Sequence, residues 1–508
     1  MKWLGAESIC FGKCNFAFDI LKTTFMQKQF FKKSLVLLKS NLRRKVQIVL
    51  IGLLSLSTFL TAQSDYITIQ KIEVTGNKKT KENVIIRELD FSIGDTIHLN
   101  NIPVRTAKNQ ALLMNTSLFT SVKTNIKNWN TETNAVTIVV EVSEFWFIYP
   151  FPIIELNDRN FNEWWQTYNH SLKRVNIGVR FYHINLTGRN DRLEVLTQFG
   201  FTQKYEIGYD RPGINKKQTL GVFTNVLYSQ NKELSYNVKN DTLEFFRDPD
   251  EVLLRRIRGG FGMKYRPSLY TSYKGVLNYH HNIINEKVSQ ELNPDFFKEG
   301  LKQRYFSLNF SVDLDKRDIR PYPMNGHQVI FSIEKQGIGL FKEFNAGHAY
   351  LTLKKYISIS KKWSTELIGK GQLGLIRSQQ PFYNYLGLGY EIDFIRGYEL
   401  YVINGLDYAY AKTRLRFELF NFIFDWREMM PIRQFKSMPI KWYLSFNSDF
   451  GYVNDPFFSE NNSLRNQLLW GGGVGLDIVV FYDKVFQIEY SVNRLGERGV
   501  FIHWNLNF

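Results

Sequence analysis

Cysteine is almost missing from this chain: there are two in 508 residues, Cys10 and Cys14, and both precede residue 62. Beyond that point no disulfide framework can form and no thiol is on hand as nucleophile or metal ligand. Long apolar runs are missing too. Mean hydropathy is −0.28, and the one stretch near the ~20 residues of a membrane-spanning helix is VQIVLIGLLSLSTFLTA at 46–62. A helical membrane bundle would need several. Phosphate-loop, zinc and nucleophile-elbow spacings do not occur, so neither catalysis, a cofactor nor a metal is expected. Gly369-Lys370-Gly371-Gln372-Leu373-Gly374 fits GxGxxG by letter, but it lies inside a strand pattern with no helix behind it, the wrong context for a dinucleotide. His280 and His281 are adjacent, point to opposite faces of a regular strand, and cannot share an ion.

The net charge of +17 invites a nucleic-acid reading, but its distribution argues against one. Residues 1–62 hold 10 Lys and Arg against 2 Asp and Glu, a net +8, which leaves +9 spread over the other 446 residues. No recognition-helix or RNA-sheet pattern accompanies so diffuse a charge, and no nucleic-acid partner is expected. Arg43, Arg44 and Lys45 precede the apolar run, and small Ala62 closes it. Basic segment, short apolar segment and small residue are the parts of a cleaved export signal. Residues 1–62 are therefore expected to be a leader, with Met26 as an alternative start.

Aromatic residues are abundant: 16% of the chain, with 27 Tyr, 42 Phe and 10 Trp. Amphipathic rings collect at bilayer interfaces, where membrane barrels need them. From 145 to 508 the sequence alternates apolar and polar residues in segments of 8–15, approximately 145–154, 173–186, 189–200, 203–211, 217–229, 252–266, 271–286, 303–315, 326–336, 344–358, 362–376, 408–420, 440–450, 468–481, 484–491 and 499–508. That makes about sixteen strands, an even number as bacterial barrels require. Short links at Thr187-Gly188, Pro212-Gly213, Pro267-Ser268 and Tyr482-Asp483 alternate with long ones at 155–172, 230–251, 287–302, 377–407 and 451–467. The link at 421–439 is longer than this scheme wants and that near 201–202 shorter. In the final segment Val500, Ile502, Trp504, Leu506 and Phe508 share one face and His503, Asn505 and Asn507 the other. A period of two puts the first set in lipid and the second in the lumen. The fold class predicted is mainly β: an antiparallel transmembrane β-barrel, preceded by a small domain at 65–143.

In that domain Ile67, Ile69, Ile72 and Val74 lead to a Gly76-Asn77 turn; KENVIIREL follows with helical spacing, and Gly94-Asp95 breaks it. Residues 101–119 read as a second helix with Ile102, Val104, Ala107, Ala111, Leu112, Met114 and Leu118 on its apolar side, and SVKTNIK and AVTIVVEV read as strands. The order β-α-α-β-β can bury a small two-layer core.

Parity also marks a site. The longest connection contains Ile395-Arg396-Gly397-Tyr398. Leu415, Phe417 and Leu419 face lipid, so Arg414, Arg416 and Glu418 face inward; Trp442, Leu444, Phe446 and Phe450 face lipid, so Asp449 faces inward. A buried charge persists only when paired, and the loop is therefore expected to fold into the lumen with Arg396 docked on Glu418 and Asp449. The first strand, FWFIYPFPII, carries Pro150 and Pro152, which remove ladder donors. Paired with the last strand near Trp504 and Phe508, it would form a weak seam, unless the prolines belong to a linker before a later first strand.

KIEVTGN, LFTSV after the second helix, and TIVVEVSE together resemble a POTRA domain. Arg396-Gly397-Tyr398 at a loop tip, Glu418 in LRFELF, Asp449 in NSDFGYV and LDKRDIRPYPMNGHQV at 314–329 resemble the BamA/TamA superfamily of surface-antigen-type barrels. The resemblance implies a bacterial outer-membrane protein with its POTRA domain in the periplasm. It implies insertion or translocation of polypeptide: unfolded outer-membrane or secreted clients, captured by strand addition to the POTRA sheet, would enter through a gate between first and last strands. The terminal Phe508 resembles the family's C-terminal assembly signature. Accessory lipoproteins are possible partners. A passive pore or surface receptor, and a secretion channel dedicated to one partner, remain open alternatives.

Overall fold

The computed structural model describes residues 65–506, apart from 157–164, 166–168, 173–174, 201, 249, 391–392, 432–434, 458–460 and 482–483. The expected leader at 1–62, the Tyr482-Asp483 turn and Phe508 lie outside the described residues, as does the side chain of Trp504.

The small domain runs β1 (Tyr66–Thr75), α1 (Glu82–Arg87), β2 (Thr96–His98), α2 (Ile102–Met114), β3 (Phe119–Asn130) and β4 (Ala135–Glu144). Its sheet has the order β2-β1-β4-β3, with β1 parallel to β4. Three strands were expected; the fourth, β2, is three residues long. Gly94 at φ +93° reverses the chain so that Thr96–His98 returns along Tyr66–Thr68 and buries Ile97. The inward face of α2 also differs from expectation. Val104 is 69% exposed, whereas Leu113 and Asn109 are buried. Asn109 is tolerated inside because its carbonyl accepts from the Asp90 N–H and its amide donates to the Arg105 carbonyl.

The rest of the described chain is dominated by one antiparallel sheet of sixteen strands. In chain order these are β5 (Ile148–Leu156), β6 (Val175–Ile184), β7 (Arg192–Phe199), β8 (Thr202–Arg211) and β9 (Leu220–Asn231); then, after a separate hairpin of β10 (Glu233–Lys239) and β11 (Thr242–Arg247), β12 (Leu254–Tyr265), β13 (Thr271–Ile284), β14 (Lys302–Asp315), β15 (Gly326–Gln336), β16 (Ala346–Ser358), β17 (Trp363–Gly374), β18 (Asp407–Asp425), β19 (Ser437–Asn454), β20 (Leu469–Val480), β21 (Lys484–Asn493) and β22 (Arg498–Leu506). Alternation sets the two faces: Phe261, Leu308, Phe331, Leu351, Phe446 and Ile502 are exposed outward, while the polar residues between them line the interior. Among the described residues no helix is long and apolar enough to cross a membrane.

Two connections hold strand that the periodicity did not mark. The long connection at 230–251 contains the β10–β11 hairpin. The connection at 421–439 is shortened because β18 and β19 stay paired as far as Asp425 and Ser437, past a bulge between Glu418 and Phe420.

The ends of the sheet are β5 and β22, and no ladder joins them among the described residues. Ile184 N–H donates to the Phe147 carbonyl, and the register continues through Tyr149↔Tyr182 and Phe151↔Arg180. In an antiparallel pair every second residue turns its backbone groups to the neighbour. Pro150 and Pro152 fall on the alternate positions, so their nitrogens face away from β6, toward the seam. Phe145, leading into β5, packs edge-on against Phe435 and Phe481 at 5.7 and 6.4 Å. These rings come from the β18–β19 and β20–β21 links, so aromatic contact ties the chain entering β5 to links beyond β22.

The small domain packs on that same end of the barrel. Phe147 and Ile184 join its apolar core, and Arg266, in the β12–β13 turn, donates to both Glu88 oxygens at 2.7 and 2.8 Å. Burial alone would raise the Glu88 carboxyl, but Arg266 and Arg87 outweigh it and hold its pKa below the ordinary 4.5. A depressed carboxyl contributes stability that is whole above its ordinary pKa and fades as pH falls through the lowered one. Glu88→Gln should weaken the docked state by about 3 kcal/mol, read as faster protease cutting between residues 140 and 150 at neutral pH. Wild type should reach that sensitivity only below the ordinary carboxyl range, and the variant should lose the acid dependence.

Candidate functional site

The connection between β17 and β18 folds into the barrel instead of standing away from it. Leu388, Ile395, Tyr398 and Ile403 of this loop form one buried cluster with Tyr408, Val453, Leu464 and Leu469. Asp393 anchors the loop on the β17–β18 wall, taking Lys370 at 2.5 Å and the Tyr408 and Tyr410 hydroxyls at 3.0 Å each. Apolar burial and this anchor deliver the tip, Arg396-Gly397-Tyr398, to the adjoining wall of β19 to β21.

There Arg396 meets two acids. Its Nη1 lies 2.6 Å from Asp449 Oδ1, its Nε 3.0 Å from Glu489 Oε2, and its backbone N–H donates to Asp449 Oδ2 at 3.2 Å. The Arg396, Asp449 and Glu489 side chains are 7%, 0% and 1% exposed. The tip can come this close because the wall is glycine. A Cβ on Gly471 would collide with the Arg396 carbonyl oxygen, and one added to Gly397, at φ +81°, would lie 2.9 Å from the Asn493 Cβ. Asn493 Nδ2 donates to the Gly397 carbonyl at 2.7 Å.

The charges continue across the lumen. Arg414 shares Glu489 at 2.5 Å and reaches Asp477 at 3.4 Å, and Asp477 accepts from the Tyr322 hydroxyl at 2.7 Å. Tyr322 belongs to the 314–329 segment, whose turn enters the barrel from the end bearing the small domain. Arg416 stacks over the Tyr322 ring at 4.4 Å, pairs with Glu366 and donates to the Pro323 carbonyl. Lys412 stands cross-strand from Asp449 with its ammonium 4.0 Å from the Phe394 ring. Arg396, Lys412 and Arg414 thus face Asp449, Asp477 and Glu489, three charges of each sign.

The structure brings Arg396 to Asp449 but not to Glu418. Glu418 accepts from the Tyr443 hydroxyl at 3.2 Å instead. The strand partner of Asp449 is Lys412, and Glu418 lies six residues further along β18, roughly 20 Å at the rise of a strand. Facing the same lumen does not mean standing at the same height. The second acid is Glu489, which sequence reasoning missed although FQIEYSV carries the signal: Phe486, Ile488 and Tyr490 point outward, so Glu489 must point in. Pro150 and Pro152 lie in β5, and the backbone of Trp504 lies in β22 opposite Phe486. Among the described residues no group of three or more His, Cys, Asp or Glu could hold a metal ion.

The other long connections meet over the mouth remote from the small domain. Asp241, at the tip of the β10–β11 hairpin, accepts from Ser463 Oγ at 2.7 Å and the Leu464 N–H at 3.0 Å, and its carbonyl takes the Val402 N–H. Phe296, of the β13–β14 link, packs on Phe382 and Tyr383 at 5.9 and 5.6 Å. The lumen is plugged at its centre and covered at this end.

A sixteen-stranded barrel with an inserted loop pinned by buried charge and a small α/β domain at one end defines an outer-membrane β-barrel protein. Residues 67–144 match the POTRA family, described as surface antigen variable number repeat, and residues 185–415 match the Omp85 superfamily domain. The chain belongs to the Omp85 superfamily. Among solved structures, CdiB from Escherichia coli aligns over 86% of this chain and 75% of its own at 11% identity and a TM-score of 0.52. BamA from Haemophilus ducreyi lacking POTRA domains 1–3 aligns over 86% and 84% at 13% identity and 0.48. CdiB from Acinetobacter baumannii aligns over 87% and 74% at 14% and 0.48. No curated protein sequence matches the chain.

Arg396→Ala should cost the docked loop about 3–5 kcal/mol, because it leaves two acids buried with one partner fewer. In planar bilayers the variant should conduct where wild type is nearly closed. Glu489→Gln should reproduce much of this effect and Glu418→Gln little of it; equal conductance in the two acid variants would contradict the geometry.

Proposed function

We propose that this protein assembles or translocates polypeptide at the bacterial outer membrane, without a cofactor, through a seam between β5 and β22. The observation that carries the reading is the mismatch between a plugged lumen and a poorly bonded seam. Elsewhere each barrel strand has a ladder on both sides; at the seam no ladder joins the described residues, and two of the nitrogens on that edge of β5 belong to proline. Backbone groups facing lipid unpaired cost several kcal/mol each, so a client strand that pairs with this edge gains what the barrel itself lacks. The client's own strand pairing and lipid-facing burial drive insertion; the weak seam lowers the barrier. Pro150, Pro152, Trp504 and Phe508 bound that gate.

The small domain lies in the periplasm on this reading. Clients join an outer edge of its sheet, which β2 and β3 form, by strand addition, and are handed to the end of the barrel on which it sits. Accessory lipoproteins would bind on the same side. The plugged lumen and covered mouth favour this over a passive pore or receptor. A secretion channel dedicated to one client is the second reading.

Cysteines scanned in pairs along β5 and β22 should yield a lock that abolishes client assembly until reductant is added; assembly indifferent to every lock that forms would remove the seam from the account. Depletion followed by a survey of outer-membrane proteins then separates the two readings. Loss of many barrels supports general assembly, and loss of one secreted product supports a dedicated channel.

A further inference from the structure

The outward face of the barrel is not uniform at the end remote from the small domain. On β12, β14 and β15 its last positions are Arg255, then Lys302 with Arg304, then Lys335, while the last on β13 is Ile283. Arg255 on β12 and Lys302 on β14 both stand opposite Ile283 of β13, so their backbones are about 10 Å apart, two strand spacings. Both are exposed, and among the described residues neither has an acidic partner. His281 lies between the two strands, opposite Arg304 and close enough to Lys302 to feel both charges. Arg304 stacks on Phe341 at 4.8 Å and pairs with Glu343, which gives four cations to one acid in this sector. Directly beneath, Tyr279, Phe306 and Phe341 make an aromatic shelf with centroids 5.2 to 6.1 Å apart, and below that Phe261, Leu308 and Ile333 enter the lipid-facing belt.

The same level on the neighbouring strands is different. Gly347, Leu373, Ala409, Tyr452 and Trp470 stand there on β16 to β20. Cations that merely reach to an interface have no reason to gather on β12, β14 and β15 alone of these strands. A lipid headgroup with several negative charges supplies one: clustered Lys and Arg bind phosphate with charge-assisted hydrogen bonds, an aromatic shelf carries the upper acyl region, and the belt below takes the chains.

We propose that the β12–β15 sector, through Arg255, Lys302 and Arg304, binds an anionic lipid carrying more than one phosphate in the leaflet remote from the small domain. The proposal rests on the barrel's place in the membrane and not on its client activity. Bound there, the lipid fixes the barrel's depth and tilt from the side opposite the seam end of the sheet.

The test uses the full chain in phosphatidylcholine nanodiscs, titrated with a bis-phosphorylated glycolipid and read by native mass spectrometry. Parallel titrations use the same glycolipid stripped of phosphate, phosphatidylglycerol and inorganic phosphate. Wild type should retain the phosphorylated glycolipid in preference to the other three. The double variant Arg255→Ser with Lys302→Ser, which alters only exposed outward side chains, should bind it about 10- to 30-fold more weakly at each of two salt concentrations. Lys355→Ser, an outward lysine near the opposite end of β16, should bind as wild type does. Equal retention by wild type and the double variant, or retention that ignores the phosphates, would overturn the proposal. Inorganic phosphate competing as well as the lipid would assign the site to free anion and overturn it too. Client assembly measured on the same preparations keeps this outcome separate from the fate of the seam.

Discussion

The salt bridges from Arg396 to Asp449 and Glu489 are the constraint on which the interior depends. Any one of these groups alone in the lumen would carry a desolvation penalty of several kcal/mol, and the attraction between them repays it only with good geometry and every oxygen engaged. Both conditions are met. Arg396 spends its backbone N–H and two guanidinium nitrogens on the acids, and Glu489 is shared with Arg414 and Asn447. The arrangement is charge-neutral but not self-sufficient, because one of its cations arrives on a loop. Withdrawing that loop leaves acids unmatched, which makes the docked position a distinct state with a barrier around it and not one of many loop conformations.

A second constraint acts at the seam. A barrel in lipid is stable because closure removes every edge, yet a strand with two prolines gives up part of that closure on the side facing its last neighbour. Aromatic packing of Phe145 with Phe435 and Phe481 bridges the same place. Ring contacts are short-ranged and tolerate sliding better than a ladder in fixed register. On the proposed reading, such a joint would part without breaking a row of hydrogen bonds. Under the proposed function the plug closes the axial route through the barrel, and the seam would supply the lateral one.

Much of this was legible in the sequence because the code of a barrel is simple. A period of two, repeated with turns between, identifies strands and faces from residues such as Val500, Ile502 and His503, and the mainly β class with its sixteen strands and POTRA-like domain follows. What the period cannot supply is height. Glu418 and Asp449 share a lumen, but only cross-strand register reveals that Lys412, and not Glu418, stands level with Asp449. Glu489 has the right parity but lies two strands beyond Asp449, outside the pair next to the loop. Helix phase in α2 escapes the pattern for a related reason: an inward Asn109 does not register among apolar positions, yet two hydrogen bonds to backbone groups satisfy it inside while Val104 points to solvent. The strand β2 is too short for any periodicity to register.

The account turns on where the tip of the β17–β18 loop rests when the protein is in a bilayer. Spin labels on Leu400 of the loop and Leu495 of the β21–β22 turn report this directly, since Tyr401 already touches Glu497 across that gap at 2.6 Å. Measured by pulsed dipolar spectroscopy in membranes, the pair should give one short, narrow distance distribution in the wild-type background and a broad, longer one with Arg396→Ala. A broad, long distribution in the wild type itself would mean that the loop stands outside the barrel, and the electrostatic plug would have to be given up.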